Sequence, residues 1–367
     1  MRVVVVGGGV LGTFHAWEGV RRGHQVVQIE RELGSRGASV RNFGLVWVSG
    51  RADGAEIATA LRARELWARV SGIGFRSNGS LTVCRTDVEL AVAKEAAGRE
   101  DAVEREFELL DAEETRRRNP ALKGDLLGAL WCGRDAIVEP REVLKQLRNE
   151  LEKSGRYEFK SGREIRDVSN QKLRDDHGET HEADVIMLCT GAWHGGLIRE
   201  LAGELPVRRV RLQMMQTAPL EQQLTTAVAD ADSFRYYPAY EGPALDALKE
   251  TPQAGVAQSN AMQLLMVQRA HGGLTIGDTH EYAEPFGFDV QSEPYDYLRE
   301  AVESLLGQKM PQIVRRWAGV YSQSITPGEV VVRREPSPNV HLITGPGGRG
   351  MTMSPAIAET TYSEAGL

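Results

Sequence analysis

Cysteine is scarce in this chain, with Cys84, Cys132 and Cys189 the only three among 367 residues. They are widely spaced, odd in number and form no Cys-x-x-Cys pair, which excludes a disulfide framework and a cysteine zinc site. A reducing cytoplasm is the expected compartment. Positive charge is also in deficit. Lys and Arg total 44 against 51 Asp and Glu, a net charge of −7, so no global basic field exists to neutralise a nucleic-acid backbone. The short run Arg116-Arg117-Arg118 reads as a solvated helix face. No apolar run approaches the roughly 18 residues that span a bilayer. Met1-Arg2 leads directly into Val3–Val6 and then glycines, too short an apolar stretch for a signal-peptide core. Repeats, low-complexity tracts and an obvious linker are absent too, so two or three units that interleave are expected from this length. Disorder is excluded: 41% hydrophobic and 26% charged residues are ordinary for a folded domain.

What is present begins at the N-terminus. Arg2–Val6 is a β-branched run suited to a strand buried on both faces of a parallel sheet. Gly7-x-Gly9-x-x-Gly12 follows, then a helix to about Arg22 that Gly23 stops. A second strand from Gln25 ends at Glu30, 23 positions after Gly7. Glycines at this spacing allow a tight turn and close backbone approach, so a pyrophosphate can sit on the helix N-terminus. Glu30 is placed to accept hydrogen bonds from a ribose, and its charge repels a 2′-phosphate, which argues against NADP. Further helices are predicted over Ala55–Val70, Asp87–Glu104, Asp111–Arg118, from Glu139 onward with Val143, Leu144 and Leu147 inward, and over Tyr295–Leu306. Strands are predicted at Ser80–Cys84, Tyr157–Phe159, Val185–Cys189 and Val340–Ile343. From Val207 to about Gly277 the frequent turns point to an antiparallel sheet.

A plain dinucleotide dehydrogenase would continue with βα units. Here Gly37-Ala-Ser-Val-Arg-Asn-Phe-Gly44, a polar glycine-bounded loop, comes soon after Glu30-Arg31. Asp184–Leu188 leads into Cys189-Thr-Gly-Ala-Trp193, where backbone can approach a ligand. Gly345-Pro-Gly-Gly-Arg-Gly-Met-Thr352 precedes a small-residue helix whose N-terminus suits a flavin carbonyl. Four such segments in order point to a long extended cofactor, FAD rather than NAD.

These segments together resemble the FAD-dependent D-amino-acid oxidase superfamily, nearest to the glycine oxidase and sarcosine oxidase branch, from Val3 to about Ala358. Arg41-Asn-Phe-Gly-Leu-Val-Trp47, Thr275-Ile-Gly-Asp-Thr-His-Glu-Tyr282, Arg316-Trp-Ala-Gly-Val-Tyr321 and Gly348–Thr352 resemble a subgroup associated with aminophosphonate breakdown, including N-methylated substrates. The resemblance implies an α/β fold, α+β overall. A doubly wound FAD-binding domain (residues 1–80, 135–205 and 320–367) would interleave with an antiparallel substrate domain (81–134 and 206–319). It implies that Val6, Gly7, Gly9, Val10, Leu11, Gly12, Glu30 and Arg31 hold the ADP half, with the backbone of Ile165 against adenine. Ser39, Arg41, Asn42, Phe43 and Gly44 would lie along the ribityl and pyrophosphate side. Thr190, Gly191 and Trp193 would complete the channel, and Gly347, Gly348, Arg349, Gly350, Met351 and Thr352 would face the flavin. Sarcosine oxidases attach flavin to a cysteine near this last motif. None lies there, so the flavin is expected to be non-covalent.

Flavin oxidation of an amine needs little acid–base machinery, so an anion clamp is the feature to seek, and arginine suits it. The candidates are Arg235, beside Tyr237 and Tyr240, then Arg316 beside Trp317, and Arg349, with Trp47 as a further wall. His280 is the candidate for substrate deprotonation or for stabilising charge on reduced flavin. His177-Gly-Glu-Thr-His181 reads as a solvated turn, with no metal implied, and the methionines, Met214-Met215 included, as core filler. The expected substrate is a small anionic amine and the expected acceptor oxygen. An amino-acid dehydrogenase with another acceptor, and a protein that retains FAD without turnover, stand as alternatives.

Overall fold

Val3, Val4 and Val5 are all fully buried, and their alternation decides what surrounds them. In the computed structural model, which describes residues 1–367, Val3 and Val5 join one core while Val4 joins another. Successive residues of a strand point to opposite faces, so a strand apolar at every position must be covered on both sides. Arg2–Val6 accordingly lies inside a six-stranded sheet ordered Val332–Ser337, Val340–Thr344, Val185–Leu188, Arg2–Val6, Gln25–Glu30 and Tyr157–Ser161. Every neighbouring pair is parallel except the first, an antiparallel hairpin. Helices Val10–Arg21, Ala55–Arg69, Val143–Glu152 and Gly350–Glu364 cover one face. A three-stranded antiparallel sheet (Ile165–Ser169, Lys172–Asp175, Thr180–Glu182) and helix Leu197–Ala202 cover the other.

A second sheet has eight strands, ordered Ile313–Ser324, Val207–Pro219, Gly273–Gly277, Leu265–Gln268, Ala227–Ala229, Ser80–Cys84, Gly128–Cys132 and Phe107–Asp111. All its pairings are antiparallel except that of Ala227–Ala229 with Ser80–Cys84. One face packs on helix Ser292–Leu306 through Met215, Ile276, Leu298 and Val302. The other packs on Phe43, Leu45 and Trp47 through Val210, Leu212 and Met214. The paired methionines therefore serve opposite faces, and only Met214 looks toward the first sheet. The mixed α/β architecture matches expectation, and so do most predicted elements. Asp87–Glu104 divides into helices Asp87–Ala97 and Ala102–Arg105, broken at Gly98. The boundaries expected at residues 80 and 319 fall within strands Ser80–Cys84 and Ile313–Ser324. No helix is long and apolar enough to cross a membrane.

Candidate active site: a cavity between the two sheets

A cavity of about 1030 Å³ runs from the carboxyl ends of the parallel strands to the inner face of the second sheet. Drug-sized ligands occupy pockets of roughly 300–1,000 Å³, so there is room for an extended molecule. Its first part is built on the glycine turn. Gly7 has φ +113°, and a Cβ there would lie 2.2 Å from the Cys189 carbonyl oxygen. Gln28 Nε2 donates to the Gly7 carbonyl at 2.8 Å, and the Tyr157 hydroxyl donates to Gln28 Oε1 at 2.6 Å. Ser35 Oγ donates to the Gly8 carbonyl at 2.5 Å. Glu30 accepts from the backbone N–H groups of Gly8 (2.5 Å) and Glu32 (3.0 Å), which fixes its carboxylate at the cavity wall.

Two helix N-termini open on the same cavity, those of Val10–Arg21 and Gly350–Glu364. Neither has an acidic residue in its first turn or a cap from its own N-cap residue, and although Ser39 Oγ accepts from Val10 N–H at 2.9 Å, no side-chain charge offsets either positive dipole end. At the rim, the Arg31 guanidinium lies 4.8 Å from the Trp193 ring centroid.

The far part of the cavity is walled by Trp47, Arg51, Tyr236, Tyr237, Asp278 and Tyr321, among others. Arg51 is buried, its Nε donating to the Trp47 carbonyl at 2.8 Å. Glu56 lies 3.6 Å from Arg51 and 2.9 Å from Arg349, so one carboxylate serves two guanidiniums. The loop that carries Arg51 is fastened by buried Asp135, which accepts from Val48 N (2.5 Å), Ser49 N (3.0 Å), Ser49 Oγ (2.7 Å) and Ser80 Oγ (2.6 Å). Burial raises the Asp135 carboxyl, opposed by these bonds. Burial also lowers His280 to about 4, against the donor bond of its Nδ1 to the Ala261 carbonyl at 2.9 Å, and raises Asp278 to about 8. Two buried polar atoms of cavity residues, Trp47 Nε1 and Gln263 Oε1, have no hydrogen-bond partner.

Residues 2–363 match the family model described as DAO, FAD dependent oxidoreductase. The chain belongs to the DAO family of FAD-dependent oxidoreductases. Its curated relatives include an opine oxidase subunit of Rhizobium meliloti, 22% identical over 73% of this chain and 76% of that protein. Glycine oxidase of Geobacillus kaustophilus is 24% identical over 62% of this chain and 64% of that one. Among solved structures, the fold is shared with glycine oxidase of Bacillus cereus at a TM-score of 0.80 and 18% identity, covering 100% of this chain and 94% of that one.

FAD is the cofactor of this DAO-family chain, and the cavity fits it. The glycine turn would crowd against any Cβ, two helix N-termini without a nearby acidic side chain face the space, and Glu30 offers a carboxylate. Of the residues expected at the cofactor, Val6, Gly7, Gly9, Val10, Leu11, Glu30, Arg31, Ser39, Arg41, Asn42, Phe43, Ile165, Thr190, Gly191, Trp193 and all of 347–352 line the cavity. Gly12 and Gly44 do not. A Cβ on Gly12 would lie 2.1 Å from the Gly7 carbonyl oxygen, and one on Gly44 2.1 Å from that of Val138, so both act beneath the surface by permitting close packing. Cys189 reaches the cavity wall, and burial raises its thiol far above the ordinary range.

The substrate candidates divide. Trp47, Tyr237, His280 and Arg349 line the cavity. Arg235 does not: on helix Asp232–Tyr236 it points away, 3.1 Å from Asp232 and 2.8 Å from Thr251 Oγ1, while Tyr236 takes the inward place. Tyr240 lies in a separate core, its ring 4.8 Å from that of Phe234. Arg316 stacks over Tyr295 at 5.3 Å. Trp317 supports the cofactor loop from behind, its Nε1 donating to the Arg41 carbonyl at 3.2 Å. At about 4, His280 is neutral near pH 7, which removes an imidazolium charge beside the flavin but leaves the ring in the form that can accept a proton. His181 is buried rather than in a solvated turn. Its Nε2 lies 3.0 Å from Asp175, which also accepts from Arg163 at 2.9 Å. Sequence reasoning missed Arg51, Asp278, Tyr236, Gln263 and Tyr321. The signals present were Arg51 just beyond the Trp47 motif, and Asp278 and Tyr321 inside motifs already singled out.

Proposed function

We propose that this enzyme oxidises the C–N bond of a small amine that also bears an acid group. The product imine hydrolyses to an aldehyde or keto acid, with oxygen as acceptor giving hydrogen peroxide. The observation that carries this reading is the excess of positive charge at the cavity wall, where Arg51 and Arg349 share Glu56 alone. A carboxylate or phosphonate supplies the missing anion, and the planar fork of a guanidinium binds either through paired hydrogen bonds. FAD, held non-covalently, supplies the two-electron acceptor. The protein's own part is to fix the acid group and to keep the reacting carbon in a largely dry, aromatic-walled space. The motifs around Trp47, Asp278 and Tyr321 support aminophosphonates, primary or N-methylated, as substrates alongside glycine and sarcosine.

The test is the visible spectrum of the FAD-loaded protein under anaerobic conditions. It is mixed in turn with glycine, sarcosine, D-alanine, 2-aminoethylphosphonate and its N-methyl derivative. Bleaching by an acid-bearing amine, reversed on admitting air, is the expected result. Flavin left oxidised by every member overturns the reading, and bleaching that air does not reverse transfers the acceptor role from oxygen to another carrier.

A further inference from the structure

Asp278 directly follows strand Gly273–Gly277 and lines the cavity while only 5% exposed. No arginine or lysine lies within ion-pairing distance of it. The one basic group that does is His280, with Nε2 at 3.8 Å from Oδ2, and burial keeps that ring neutral near pH 7. Gln263 Nε2 stands 3.5 Å from Oδ1, and the Asp278 backbone N–H donates to the Gln263 carbonyl at 3.1 Å. The other titratable groups facing Asp278 are tyrosines from three segments: Tyr236 and Tyr237, Tyr282, and Tyr321 on Ile313–Ser324. Burial raises all four hydroxyls, so none carries charge near neutral pH.

Three of these features attract a cation. The carboxyl lacks a positive partner, the unpartnered Gln263 Oε1 is an acceptor, and tyrosine faces draw ammonium groups electrostatically. A buried carboxyl held at about 8 by desolvation ionises readily once a cation enters beside it. Arg51 lies 5.7 Å from the Tyr237 ring centroid, and both Arg51 and Asp278 act on the Tyr237 hydroxyl, so one cavity offers an anion site and a cation site near the same residue.

We propose that Asp278 is the catalytic residue that receives the substrate's ammonium group and takes its proton, leaving the free amine from which the C–N bond is oxidised. At pH 7 the carboxyl first releases its own proton to solvent as the ammonium enters; then one N–H bond breaks and one O–H bond forms. The electron pair stays on nitrogen, the positive charge on nitrogen and the negative charge on the carboxylate are both lost, and no electrons pass to the cofactor in this step. The proposal rests on amine oxidation as the activity.

The test compares FAD-loaded wild type and Asp278→Asn, using whichever amine reduces the wild-type flavin. The ratio of reduction rate to Kd is followed from pH 6 to 10. Wild type should show a limb near 8 that levels off above it. Asp278→Asn should lose about 100-fold at pH 7, lack that limb, and recover toward pH 10 as the amine itself ionises. A second measurement needs no variant. The N,N,N-trimethyl derivative of the same amine has no proton to give, so its binding to wild type at pH 7 should release about 0.9 proton per site from Asp278, read by calorimetry in buffers of different ionisation enthalpy. A variant profile and rate within about threefold of wild type, or no proton released by wild type, overturns the role of Asp278 alone. If no amine reduces the wild-type flavin, amine oxidation fails and Asp278 with it.

Discussion

Replacing Gly12 by alanine is the sharpest test of how the cofactor turn is built. Gly12 does not line the cavity, so any effect must pass through the backbone above it. The new Cβ would lie 2.1 Å from the Gly7 carbonyl oxygen and 3.1 Å from its carbon, and one of the two must move by about an ångström. Gly7 has little room to yield. Its N–H donates to Ile29 O at 2.8 Å, its carbonyl accepts from Gln28 at 2.8 Å, and its Cα abuts the Cys189 carbonyl on the other side. Overpacking of this kind costs about 1–3 kcal/mol. Displacement of the turn that approaches the pyrophosphate would convert that cost into an FAD affinity loss of about 5- to 150-fold. Titration of FAD into apoprotein, followed by quenching of flavin fluorescence, measures it. Thermal unfolding with and without FAD checks that the apoprotein still folds. Gly34→Ala is the control, because nothing lies within 4 Å of a Cβ there. Wild-type FAD affinity in Gly12→Ala, or an equal loss in Gly34→Ala, would refute the reasoning.

Two other perturbations separate the elements of the site. Asp135→Ala leaves four donors of the Val48–Ser49 and Ser80 segments without their acceptor in a buried place, and should cost about 3 kcal/mol or more in chemical denaturation. A loss under about 1 kcal/mol would show that water replaces the carboxylate. Arg51→Lys keeps the charge but not the fork or the bond to Trp47, and should raise KM for an acid-bearing amine about 10- to 100-fold with a smaller change in kcat. Arg235→Lys, outside the cavity, should leave KM within about twofold; the reverse ranking would restore Arg235 as the clamp.

The two ends of the cavity were unequally legible. The glycine turn, Glu30 and the strands around them are contiguous in sequence, and backbone sterics with helix-terminus electrostatics act between near neighbours. At the substrate end, neighbouring residues part company. Tyr236 enters the cavity and Arg235 leaves it, and Met214 faces the cavity while Met215 faces helix Ser292–Leu306. Which of two adjacent side chains points inward depends on how the second sheet lies against the first. His280 drew attention because an ordinary imidazole titrates near neutrality, yet burial pushes it to about 4 and lifts Asp278 to about 8.

Local periodicity, and turns that only glycine permits, were enough to specify the βαβ start, the FAD-type cofactor segments and an antiparallel character for the stretch from Val207 to Gly277. Each is written in residues close together along the chain. Packing settled the rest: which cations face the substrate, that Glu56 is shared between Arg51 and Arg349, and that Asp278 has no positive partner. Those properties depend on desolvation and on charges brought together from segments as far apart as residues 51, 278 and 349. Neither can be summed along a chain before its surfaces meet.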